Sequence, residues 1–234
     1  MPGRFEHSTD VSAGAWIAPR LGGGFGTVGR VCPTGFEAYA RVFHPVGDDG
    51  LRWAEVAATM GRVAHPEMQW GRISGLFYGT RLFGDWQGDE PATGALEAHQ
   101  VAVLAAAIGG DPAVTLGVWT GYGDLDDSVR SAPTLDLPGR EYALYRGHLA
   151  TLCDPQWRRH SDWPTGGRDA LNLAWPDDRS WFVASEIDFD STVVGGTREL
   201  IDRVLTSTLE AAEVTETSDL SSEGDTINPA GPLP

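Results

Sequence analysis

The stretch WPDDRSWFVASEIDFDSTVVGG, from Trp175 to Gly196, reads as a turn, an extended run and the approach to a helix. Side chains of an extended chain alternate between two faces. Trp181, Val183, Ser185, Ile187 and Phe189 therefore share one side, and Phe182, Ala184, Glu186, Asp188 and Asp190 the other. The first side is apolar almost throughout. The second begins apolar and finishes in three carboxylates, each about 7 Å from the next at the rise of a strand. The expectation is one strand over 181–190, buried on both faces at its start and emerging at a rim, with Gly195-Gly196 ending the extended run. Thr197 then caps a helix that gathers Leu200, Ile201, Val204, Leu205 and Leu209 on one side.

Working outward toward the N-terminus, residues 154–178 form a long loop carrying Trp157, Trp163, Trp175 and Arg168. Val114 to Trp119 reads as a buried strand closed by Trp119-Thr-Gly-Tyr122-Gly, where glycine permits close approach and aromatics supply stacking area. Arg140 to Leu152 is a further strand region. A helix is expected from Thr93 or Gly94 to Ile108, and another from Leu51 to Met60 after a turn at Asp48-Asp49-Gly50. Phe36 to Phe43 alternates as a strand. The glycine-rich run Leu21 to Gly29 resembles a kinase phosphate loop only superficially, being one residue short with Thr27 at the third glycine position, and reads as a flexible loop leading into a strand. Residues 1–14 read as a flexible arm and 213–234, acidic and ending in prolines, as a disordered tail. Together these elements predict a single α+β domain over 15–212, with a mixed or antiparallel sheet and about three packed helices.

Composition narrows the function. The 234 residues carry a formal charge of −16 at a pI near 4.6, which disfavours nucleic acid and anionic membranes as partners. All 17 basic residues are arginine; without lysine there is no Walker A phosphate grip, no kinase strand lysine and no Schiff-base chemistry. Two cysteines, Cys32 and Cys153, make no disulfide framework, and the longest apolar run is far short of the ~20 residues of a membrane span, so a cytoplasmic location is expected. The histidines of His44-Pro45 and His65-Pro66 are separated by a helix that adds ~15 Å of rise, against shared metal ligation.

The motifs YARVFHP (39–45), HPEMQW (65–70), VWTGYG (118–123), LPGREYAL (137–144) and the opening stretch together resemble a family of uncharacterised proteins of high-GC bacteria, over roughly residues 27–212. The resemblance implies one intact domain; the family carries no established activity, so no catalytic role is transferred from it. The residues themselves support two readings. Glu186, Asp188 and Asp190 beside Trp119, Tyr122 and Trp175 suit a basic protein or a small cationic ligand, through charge complementarity and cation–π contact. Alternatively, the three carboxylates with Asp177 and Asp178 hold a divalent ion in a hydrolase-like enzyme. Same-face carboxylates on one strand point in parallel, so that reading needs a contribution from another element.

Overall fold

The computed structural model describes residues 3–47, 50–77, 80–82, 84, 86–161, 163–164 and 171–231. The expected turn at Asp48-Asp49 and part of the expected loop at 154–178, Arg168 included, lie outside the described residues.

Eleven strands are described: β1 (Glu6–Ser8), β2 (Ala38–Phe43), β3 (Leu76–Phe77), β4 (Thr80–Arg81), β5 (Ala113–Trp119), β6 (Leu135–Leu137), β7 (Arg140–His148), β8 (Leu173–Pro176), β9 (Phe182–Ala184), β10 (Ser191–Gly196) and β11 (Ala211–Val214). Strands β3 and β4 make a small separate hairpin. The other nine build one sheet in the order β1-β7-β5-β8-β9-β10-β2-β11, with β6 in line with β1 along the same edge of β7. Every pairing is antiparallel, which selects one of the two sheet types expected. Six α-helical segments accompany the sheet: α1 (Val28–Val31), α2 (Trp53–Thr59), α3 (Trp70–Ser74), α4 (Ala98–Ile108), α5 (Asp127–Arg130) and α6 (Arg198–Leu205). They outnumber the three expected, because α1, α3 and α5 are single turns too short to show a period.

Period-two alternation sorts the core. Val114, Leu116 and Val118 of β5, Ala174 of β8, Val183 of β9 and Val194 of β10 face one layer, with Leu104 and Ile108 of α4 and Leu200, Ile201 and Val204 of α6. Burying each of the Val, Leu and Ile side chains among them contributes about 1.5–3 kcal/mol. Leu173, Trp175, Phe182 and Val193 face the opposite layer, where Ile17, Val28, Cys32 and Leu220 cover them. A third cluster packs Phe43 against Trp53 and Val56 of α2 and Trp70 and Ile73 of α3.

The opening stretch differs from its reading in one respect. It is a hairpin and not one strand: β9 and β10 pair with Val193 opposite Ala184 and Gly195 opposite Phe182. The change from apolar to acidic at Glu186 marks the turn, where the Phe189 amide donates to the Glu186 carbonyl at 2.9 Å. Gly195 lies inside the sheet, since a Cβ there would come within 2.6 Å of Phe36 Cδ2. The glycine-rich run leads into α1, not into a strand. Both ends also depart from expectation. The arm is tied down by β1 and by the buried Phe5. The acidic tail runs as a strap: Val28 donates to the Ser218 carbonyl at 3.0 Å, Leu220 donates to the Gly26 carbonyl at 2.9 Å, and Asp225 and Asn228 are buried. Pairing and local turns satisfy its polar groups, which composition alone does not register.

Candidate functional site

A cleft of about 450 Å³ opens beside the turn of the β9–β10 hairpin, between segments far apart in the chain. The turn contributes Asp188, Phe189 and Asp190; α3 and the residue before it contribute Gln69, Trp70 and Arg72. The strap contributes Leu220 to Glu223, with Phe25 of the glycine-rich run, Leu82 and Glu90 completing the lining. Gly26 makes this closure feasible: its φ is +82°, and a Cβ would stand 2.6 Å from Ser221 Cβ.

Asp190 sits above the buried end of Arg41. The arginine is fully buried and donates from Nε to Ser191 Oγ at 2.9 Å and from Nη1 to the carbonyls of Pro66 at 3.2 Å and Met68 at 2.7 Å. Its Nη2 lies 3.6 Å from Asp190 Oδ1, and its guanidinium centre is 4.6 Å from the Phe43 ring and 5.3 Å from that of Trp53. Burial pushes Arg41 down to about 10, opposed by Asp190, so it remains cationic at neutral pH. The Asp190 side chain keeps 23 % exposure, yet the surrounding protein raises its pKa, with Arg41 acting in the opposite direction. A second cation beside Asp190 would offset that burial.

The other two carboxylates of the hairpin turn meet Arg140, a residue that sequence reasoning did not single out. Its Nη2 donates to Glu186 Oε1 and Asp188 Oδ2, both at 2.8 Å, and its Nε to Glu186 Oε1 at 3.1 Å. Burial lowers the pKa of Arg140, but Glu186 and Asp188 more than compensate and hold it above its ordinary value. The guanidinium centre lies 5.7 Å from the Trp119 ring centroid, and Trp119 meets Tyr122 edge to face at 5.1 Å. Glu186, Asp188, Trp119 and Tyr122 are thus brought together through one arginine. The only signal available for it was its position after Pro138-Gly139 in LPGREYAL, at the first residue of β7. Asn172 then fixes the aromatic pair, accepting from the Trp119 amide at 2.8 Å and donating to Tyr122 Oη at 3.1 Å.

Trp175 does not belong to this surface. It is 2 % exposed and stacks on Phe182 at 5.8 Å inside the sheet's second layer, because its place on β8 turns it inward. The metal reading also loses its geometry: Glu186 and Asp188 converge on Arg140, Asp190 faces Arg41, and Asp177 pairs with Arg146. Among the described residues no group of three or more His, Cys, Asp or Glu side chains could hold a metal ion.

The two histidines do separate structural work. His44 is fully buried and bonds the Ala92 carbonyl through Nδ1 at 2.7 Å, which places the proton there. Its Nε2 then accepts from Thr192 Oγ1 at 2.9 Å, and Thr192 Oγ1 meets Ser185 Oγ at 2.6 Å. Burial lowers the pKa of His44 to about 4, keeping it neutral. His65 instead meets Asp225 Oδ1 of the strap at 2.8 Å.

Comparison with family models, curated proteins and solved structures finds no match to this chain. The functional reading therefore rests on the cleft itself. No helix among the described residues is long and apolar enough to cross a membrane.

Proposed function

We propose that this protein is a non-catalytic binding domain whose cleft accepts a cationic group. The observation that carries the reading is the composition of the cleft wall. Glu90, Glu186, Asp188, Asp190 and Glu223 lie in or beside it against Arg41, Arg72 and Arg140, a surplus of two negative charges, and Trp70 and Phe189 supply aromatic lining. Carboxylates attract the charge of a bound cation, and the rings accept its faces and its apolar stem. The volume lies within the range of small-ligand sites, about 300–1,000 Å³.

The test is a titration followed at the Trp70 indole N–H by ¹H–¹⁵N spectra, with arginine amide and phenethylammonium as probes and acetate as the anionic control. The expected result is saturable shifts at Trp70 and Gly71 with both cations and none with acetate. Glu90→Gln combined with Asp188→Asn should weaken the binding about tenfold, the worth of roughly 1.4 kcal/mol of charge interaction. Shifts that are absent at about 20 mM probe, well beyond the millimolar affinities of weak ligands, would remove the reading. Stabilisation by millimolar Mg²⁺ or Mn²⁺ in a parallel thermal scan would favour the metal alternative instead.

A further inference from the structure

We infer that the cation entering this cleft is carried on an extended basic segment of another protein, an arginine or lysine flanked by apolar residues. The inference rests on the cation-binding reading above and adds the nature of the occupant. Among the described residues, the large apolar side chains that stand in solvent are Phe25 at 92 %, Val63 at 54 %, Leu82 at 56 % and Ile227 at 56 %. Phe25 and Leu82 line the cleft. Val63 and Ile227 sit at the strap's fastening, where Asn228 holds Val63 by two hydrogen bonds of 2.9 and 3.0 Å. Scattered apolar residues on a surface need no explanation, but two of these four, Phe25 and Leu82, stand on the lining of one acidic cleft.

A free small cation would meet the carboxylates and leave this rim in water. A peptide segment covers both, because successive side chains of an extended chain alternate and an apolar neighbour reaches the rim while the basic residue enters. Charge selects among macromolecules. Nucleic acid and anionic lipid carry the same sign as the cleft, and a second copy of this chain brings another −16. A basic partner is attracted from a distance and then buries the exposed Phe25 ring and Leu82.

The experiment uses the full chain and a fluorescein-labelled hexapeptide alternating arginine with leucine, read by fluorescence anisotropy. Arginine amide and a glutamate–leucine hexapeptide serve as comparison ligands. The expected affinity for the basic peptide is at least about tenfold above that for arginine amide, falling as salt rises from about 50 to 500 mM. Phe25→Ala with Leu82→Ala, both at exposed positions that leave the core intact, should weaken the peptide about fivefold or more and leave arginine amide unchanged. If arginine amide binds but the peptide gains nothing, or the rim variant has no effect, the peptide inference fails while the cation site stands. Equal binding of the glutamate peptide also overturns it. If neither cationic ligand binds, the cation reading falls as well.

Discussion

Arg41 lies fully buried between two clusters of the core and donates to Ser191, Pro66 and Met68, so Arg41→Met leaves two carbonyls unpaired and Asp190 without its cation. Breaking such a pair from one side costs about 3–5 kcal/mol, and urea denaturation should show that loss. His44 gives a pH signature. Its folded pKa of about 4 lies below the ordinary 6.5, so its contribution is present above pH 6.5 and is lost as pH falls through 4. The full span is on the order of 3 kcal/mol, and His44→Gln should flatten the stability profile between pH 7 and 4.5. Arg41 was visible in YARVF as a charge among apolar neighbours, but its three acceptors lie 25 to 150 residues away in the chain. The opposite error concerns Trp175, since an aromatic in a polar loop and one at a strand end have the same local sequence.

At the level of elements, the strap and the hairpin carry the main lessons. Asp225 accepts hydrogen bonds from His65, the Gln69, Ile227 and Asn228 amides and the Asn228 side chain. Burial opposes its charge, but these bonds win and hold its pKa below the ordinary 3.8. The latch is therefore fully formed above pH 3.8 and weakens as pH falls through the lower folded value. Asp225→Ala should cost about 2–4 kcal/mol and make the chain cleavable near residue 220 in limited proteolysis, with the sheet core intact. Composition gave no warning of this order, because an acidic segment without arginine resembles a solvated one until its partners some 160 residues earlier are known. The hairpin was missed for a related reason. Glu186 to Asp190 contains no glycine, proline or Asn-Gly pair, so alternation read straight through the turn. Helix α6, by contrast, was legible in its start and stripe, because Leu200, Ile201 and Val204 repeat at helical spacing behind a real Thr197 cap, although it ends at Leu205, short of the Leu209 that the spacing included.

Across the whole molecule, chain segments from near the two ends occupy the two edges of the sheet, β1 beside β7 and β11 beside β2. Removing residues 1–10 uncovers the outer edge of β7 at Leu144 to Arg146, whose backbone groups then seek another strand. The expected outcome is concentration-dependent association, measured by light scattering, with little change in helical circular dichroism. The α+β class was readable because layered alternation is a local property; strand order was not, because it depends on pairings such as β1 with β7 across some 140 residues. The same long reach applies to the cleft, whose walls come from Phe25, Trp70, Glu90, Asp188 and Ala230. A ribosome adding about 5–20 residues per second makes Phe25 about 10–40 s before Ala230. Through that interval the nascent chain has no cleft, and the aromatic wall around Trp70 waits uncovered for the strap.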